Sequence, residues 1–163
     1  MTEAQLTSFL FQNLQDGGVK KLVNTNAFKQ VRMDREVGNS AYIADICIAA
    51  NSHSGKCEFN SQKVRIIAIE VKISDWENGL YQAWRYNNFA EKSFLAIYKP
   101  YAHKVKIEEF EDNNVGLIVF DETTVSIVRQ PKINRFRNNT YEMEVREKIW
   151  DNLSNTQSIL PAF

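Results

Sequence analysis

The chain has 163 residues, 44% of them apolar and 25% charged, which fits one globular domain and excludes global disorder. Its 20 basic and 20 acidic residues cancel; this counts against a strong nonspecific nucleic-acid binder but not against an enzyme acting on nucleic acid, since charge can be segregated and metal ions add positive charge locally. No apolar run is long enough for a bilayer, Met1 to Gln15 lack a signal-peptide pattern, and Cys47 and Cys57 suit neither a disulfide framework nor a zinc site, so a reduced, cytoplasmic protein without membrane contact is expected.

Residues 2–14 read as a helix, with Leu6, Phe9, Leu10 and Leu14 at helical spacing, ended by Gly17 and Gly18. After an ambiguous stretch, 30–37 reads as a strand. Residues 41–50 are nearly all apolar and predict a buried strand. The Asn-, Ser- and Gly-rich 51–61 predicts a hairpin loop, leading into a second buried strand at 64–73. Residues 74–90 predict a helix opened by a Ser74/Glu77 capping box. A strand at 92–98 follows, then a break at Pro100, a short helix at 102–112, strands at 116–120 and 124–129, and a helix at 141–153 with Met143, Val145, Ile149, Trp150 and Leu153 on its apolar side. The order implies an α/β fold, a central mixed sheet flanked by helices, as one domain over 1–153 with a loose tail at 154–163.

The strand Arg65-Ile66-Ile67-Ala68-Ile69-Glu70-Val71-Lys72-Ile73 is the most informative segment. Side chains alternate across a strand, so Ile67, Ile69, Val71 and Ile73 share an apolar face. Ile66, Ala68, Glu70 and Lys72 share the other, which turns charged only at its end, with the last two Cα atoms ~7 Å apart. The preceding strand carries one charged residue, Asp45, and a hairpin would bring it toward Glu70. Two carboxylates held close repel unless a proton or cation lies between them, and oxygen donors suit a hard cation such as Mg²⁺ or Mn²⁺. Such a site can hydrolyse a phosphodiester: Asp45 and Glu70 bind metal, the Val71 carbonyl adds a ligand, and Lys72 positions water and stabilises developing charge. Glu70 and Lys72 alone would more often be a surface ion pair, and Asp45 alone a turn residue or a hydrogen-bonded buried acid. Their combination is what carries weight.

With Asp45 as the acid and Glu70-Val71-Lys72 as the (D/E)xK element, the sequence resembles the PD-(D/E)xK, or restriction-endonuclease-like, nucleases. Ala44 stands where that motif often has Pro. The segments Glu36-Val37, Ala44-Asp45, 70–76 and 116–121 also look like a bacterial group of repair endonucleases of this fold, and the resemblance covers roughly 31–129. Gln82 and Tyr86, at i and i+4 on one helix face with Asp75 and Gly79 on the same stripe, are similar to the Q-x-x-x-Y signature of the RecB- and Cas4-like branch, in which these residues lie beside the active site and contact substrate or the catalytic constellation, which implies a catalytic role for Gln82 and a substrate-binding one for Tyr86. Trp76, Leu80, Ala83 and Trp84 form the neighbouring face, which is more often core than ligand. The resemblance implies a restriction-endonuclease-like core, Mg²⁺ or Mn²⁺ as cofactor, and DNA as substrate, with RNA left open. It implies a further acidic ligand, for which Glu36 is preferred over Glu3.

Arg129 and Lys132, in a basic stretch that reaches 137 and includes Phe136, could contact a phosphate backbone, although such stretches are more often solvated loops. Lys20 and Lys21 have the same two readings, and His53 and His103 read as surface residues. Glu108, Glu109, Glu111 and Asp112 form an acidic run. Two alternatives stand beside the nuclease: a nucleic-acid-binding module of the same fold without catalysis, and an interaction protein with no nucleic-acid role, which the neutral charge suits. A homodimer would help to cut both strands of a duplex, but no sequence feature establishes one.

Overall fold

The computed structural model describes residues 1–23, 28, 30–38, 42–52, 59–60, 63–136 and 140–155, with the backbone alone at 140, 141, 154 and 155. Helix α1 (Glu3–Asn13) starts at a capping box in which Gln5 N–H donates to the Thr2 hydroxyl at 3.2 Å and Thr2 N–H donates to Gln5 Oε1 at 2.9 Å. Its Leu6 and Leu10 are buried, but Phe9, expected on the same apolar face, is exposed. The glycine pair does not end the helical run. A wider turn over Leu14–Gly18 bends at Gly17, whose φ of 128° L side chains rarely adopt, and helix α2 (Val19–Val23) continues beyond it.

Six strands form one sheet in the order β1 (Gln30–Gly38), β2 (Ile43–Asn51), β3 (Val64–Lys72), β4 (Lys92–Tyr98), β5 (Gly116–Phe120) and β6 (Val125–Arg129). The first three strands are antiparallel, β4 and β5 run parallel to β3, and β6 turns back antiparallel. The parallel steps need crossovers, which are supplied by α3 (Trp76–Arg85) and α4 (Ile107–Asn113). Helix α5 (Thr140–Asn155) closes the described chain. This is the expected α/β architecture, a mixed sheet flanked by helices.

The β3 alternation places its residues as expected. Ile67, Ile69 and Val71 pack with Leu6, Leu10, Val19 and Leu22 under α1 and α2. Ile66 and Ala68 pack on the opposite face with Tyr86, Phe89 and the α5 residues Val145, Ile149 and Trp150. Beside them, α3 and α4 bury Trp76, Leu80, Ala83 and Phe110 against Leu95, Ile97 and Leu117. Both sheet faces are covered, which is why the central strands read as continuous apolar runs.

Several boundaries differ from expectation. Asp75, not Ser74, caps α3, accepting Asn78 N–H at 3.4 Å. The 102–112 helix is two pieces, a 3₁₀ stretch over Lys99–Lys104 and α4. Trp84, expected in the core, is 46% exposed. Helix α5 passes Leu153 to Asn155, and the remainder of the expected loose tail, most of the expected 51–61 loop, His53 and Cys57 lie outside the described residues. Cys47 is buried and His103 is exposed.

Candidate active site

The charged cluster sits where β2 separates from its neighbours. The β2–β3 ladder stops at Ile46↔Ile69, so the next positions in register are Asp45 and Glu70. On the other side, the β1–β2 pairs Arg35↔Ile46 and Val37↔Ala44 flank an interruption at Glu36, whose φ is 54°. A left-handed glutamate costs about 1–3 kcal/mol, and such strain collects at functional sites. Asp45 thus stands where both ladders open. Its carboxylate takes over from the missing ladder and accepts Val71 N–H through Oδ2 at 2.7 Å.

Glu70 is almost fully buried, and each of its oxygens has a partner. Lys72 Nζ lies 2.9 Å from Oε1. The Tyr86 hydroxyl lies 2.5 Å from Oε2 and 2.8 Å from the Ile43 carbonyl oxygen, and shares its one proton between those acceptors. Lys72 also reaches Glu3 of α1 at 3.8 Å. Asp45, Glu70 and Lys72 are therefore brought together at one end of the sheet, between the start of α1 and the inner face of α3.

Helix α3 fits closely there because of Gly79. A Cβ at that position would lie 2.6 Å from Leu95 Cδ1 and 2.7 Å from Lys72 Cγ, so only glycine lets the helix rest on the lysine stem. Tyr86, two turns on, meets Glu70 from the same stripe. Gln82 lies between them on that stripe, and its buried Oε1 has no hydrogen-bond partner among the described residues. Tyr86 is 5% exposed, so it holds the acid in place and does not offer a surface to substrate.

The electrostatics follow from burial. Desolvation, then the Glu70 charge, raises the Asp45 pKa from an ordinary 3.8 to about 6, against the opposing Val71 hydrogen bond and Lys72 charge. Burial works against the Lys72 ammonium, but the Glu70 hydrogen bond and the charges of Glu70, Glu3 and Asp45 outweigh it and leave the pKa above its usual value. Burial and the Glu70 charge hold the Tyr86 phenol protonated.

A polar cavity of about 360 Å³ opens beside the cluster, lined by Glu3, Ala4, Thr7, Asp34, Arg35, Glu36 and Asp45. Both candidates for the further acid, Glu36 and Glu3, thus face the same space as Asp45, and Glu3 is the one that also touches Lys72. Asp34 joins them without a sequence signal of its own, since an acid on a half-buried strand is most often solvated. Among the described residues, no three Asp, Glu, His or Cys side chains are grouped closely enough to hold a metal by themselves.

The structure does not bring Arg129 or Lys132 to this site. Arg129 lies on the edge strand β6, three strands from β3 and therefore ~14 Å away, where it donates to the Val115 carbonyl at 3.3 Å and approaches Glu111 at 3.9 Å. Lys132 donates its backbone N–H to Asn114 Oδ1 at 2.8 Å, before the start of β5 and thus at the far end of the sheet. Phe136 lies under the Arg146 guanidinium, 4.7 Å from ring centre. Arg129 makes its contacts within the sheet edge, and Lys132 docks through its backbone while its side chain is exposed. Lys20 and Lys21 are exposed at the end of α2.

No family model and no curated protein matches the chain. Among solved structures, the fold is similar to that of the SPO1766 protein of unknown function from Silicibacter pomeroyi, with a TM-score of 0.53, 14% identity, and coverage of 84% of this chain and 82% of that one. At this identity the likeness concerns the fold alone. No helix among the described residues is long and apolar enough to cross a membrane.

Proposed function

We propose that the chain is a Mg²⁺- or Mn²⁺-dependent deoxyribonuclease of the PD-(D/E)xK type. The observation that carries this reading is the convergence of Asp45, Glu70 and Lys72 at the opening between β2 and β3, with Lys72 Nζ 2.9 Å from Glu70 Oε1. The three antiparallel strands followed by a helix and a parallel strand support it, since that arrangement sets Glu70 and Lys72 at the carboxyl end of a central strand.

The donors suit a hard divalent cation in type: they are all oxygen, and the raised Asp45 pKa marks a carboxylate whose charge wants a nearby cation. Asp45 and Glu70 would hold it, with the Val71 carbonyl and either Glu3 or Glu36 behind them. Mg²⁺ is commonly held by one or two carboxylates, with water and substrate phosphate completing its shell. When bound, the ion supplies Lewis-acid polarisation of the phosphate and a more acidic water. Lys72 offers its ammonium to negative charge developing on the phosphate. Tyr86 keeps Glu70 in one rotamer, and Gly79 keeps Lys72 against the helix.

One observation favours a second reading, a nuclease-fold module without catalysis. Both Glu70 oxygens already have partners, Lys72 and Tyr86, so the cluster is satisfied as a structural network. A single experiment separates the two. The protein is incubated with linear, nicked and single-stranded DNA, and with RNA, in the presence of Mn²⁺. Cleavage that drops by ~10²-fold or more in Lys72→Ala, the scale of losing one charge-stabilising group, supports the nuclease. No cleavage of any substrate, or equal cleavage by the variant, overturns it.

A further inference from the structure

The outward side of α3 differs in character from the side that builds the cluster. A helix turns ~100° per residue, so with Gly79, Gln82 and Tyr86 toward the sheet end, Glu77, Tyr81 and Trp84 fall on the opposite side. Tyr81 is 57% and Trp84 46% exposed. Their ring centres are 5.8 Å apart, with planes inclined by 32°. Together with Glu77, Leu80 and Asn113 they line a groove of about 230 Å³. Asn113 ends α4, so the groove runs between α3 and α4.

Solvent-facing helix positions ordinarily take polar residues, and adjacent exposed aromatics mark a surface that a partner covers. The surrounding charge identifies the chemistry of that partner. Glu77 lines the groove, and Asp112, exposed on α4 next to Asn113, adds a second acid, with no basic residue between Ile107 and Asn113, whereas Glu108 and Glu111 fall on the other side of α4, where Glu111 approaches Arg129. A nucleic-acid backbone would be repelled here. A purely apolar partner would bury the Glu77 carboxylate without a counter-charge. A guanidinium meets both demands: its plane stacks on Trp84 or Tyr81, and its edge donates to a carboxylate. The groove is smaller than pockets for drug-sized molecules and suits one long side chain.

We propose that the groove between α3 and α4 docks an arginine side chain presented by a basic segment of a partner protein. The surface lies on the opposite side of α3 from the carboxylate cluster, and it does not depend on whether that cluster cleaves DNA.

The test uses the full chain labelled with ¹⁵N and a synthetic Gly-Arg-Gly-Arg-Gly peptide at millimolar concentration, followed at the tryptophan indole N–H signals. Trp84→Phe assigns its own signal. Trp76 and Trp150 are buried and serve as internal references. The arginine peptide is expected to shift the Trp84 signal while those two stay in place. Binding should weaken roughly tenfold when citrulline replaces arginine, and likewise in Glu77→Gln, as a charge-assisted pair is lost. Glu77 is exposed, so this variant does not endanger folding. Equal response to arginine and citrulline peptides, binding unchanged in Glu77→Gln, or no shift of the Trp84 signal overturns the proposal. So does oligothymidine shifting the Trp84 signal in place of the peptide.

Discussion

The Tyr86 hydroxyl lies 2.5 Å from Glu70 Oε2 and joins a helix to a strand acid 16 residues earlier in the chain. The same oxygen is 2.8 Å from the Ile43 carbonyl oxygen, so one phenol also ties down the start of β2, two residues from Asp45. Tyr86→Phe keeps the ring and removes this tie. It is expected to lower stability by about 1–3 kcal/mol, since a buried carboxylate oxygen loses its donor. Urea denaturation of the two proteins measures this. In the nuclease reading, kcat falls with little change in KM, because the residue positions Glu70 and does not face substrate.

Asp45 makes stability depend on pH in a definite direction. Its folded pKa, about 6, lies above the ordinary 3.8, so the folded protein favours the protonated acid. This contribution is fully present below the unfolded value and is lost as pH rises through about 6. The metal-free protein should therefore lose stability between pH 3.8 and pH 6 relative to Asp45→Asn, which keeps an oxygen for Val71 N–H and cannot ionise. Denaturation midpoints across that range check it, and parallel curves for the two proteins would contradict the raised pKa. In the nuclease reading, Mg²⁺ or Mn²⁺ near neutral pH should stabilise the native protein and not the variant, because a ligand that binds only the folded state adds stability by mass action.

Gly79 is a test of how tightly α3 lies on the cluster. Alanine is the better helix former by about 1 kcal/mol, yet its Cβ would come within 2.7 Å of Lys72 Cγ and 2.6 Å of Leu95 Cδ1. Overpacking of this kind costs about 1–3 kcal/mol, so Gly79→Ala should be destabilising overall in thermal denaturation. In the nuclease reading it should also lower cleavage, by displacing the Lys72 stem.

Arg146 offers a contrasting case, a buried charge with a structural task. It is fully buried, and both its terminal nitrogens reach Glu91, at 2.5 and 3.0 Å. It also donates to the Phe89 carbonyl at 2.6 Å and the Val64 carbonyl at 3.1 Å. Glu91 in turn accepts Ile66 N–H at 2.6 Å, so the pair holds α5 to the β3–β4 crossover. Arg146→Met leaves the Glu91 charge without its partner, and a loss of about 3–5 kcal/mol is expected in equilibrium unfolding. If the cluster binds metal as proposed, the affinity measured on the remaining folded protein should be unchanged, in contrast to Asp45→Asn.

The residues that were legible in sequence are those governed by short-range rules. Alternation along β3 is a property of the backbone, so Ile67, Ile69 and Val71 face one layer and Glu70 and Lys72 share the other side whatever the rest of the chain does. Gln82 and Tyr86 share a helix stripe for the same kind of reason. A lone acid in an apolar strand identified Asp45, since burying it requires a partner. Local rules were weaker at element ends: Ser74 and Asp75 both suit a cap, and only the entry path of the chain into α3 selects Asp75.

What tertiary structure alone decided is which distant groups meet. Nothing in the spacing of Glu3 and Lys72 foretells a 3.8 Å approach, which results from α1 packing its Leu6 and Leu10 on the sheet. Nor does the basic stretch after β6 reveal that Arg129 and Lys132 lie away from the cluster, because strand order sets that distance and local sequence does not encode strand order. Trp84 resembles its core neighbours in composition, and its place at the edge of the apolar face of α3 leaves it 46% exposed. Sequence determined which side chains could point together, through the two backbone periodicities; the long-range burial of apolar faces determined which of them share a site.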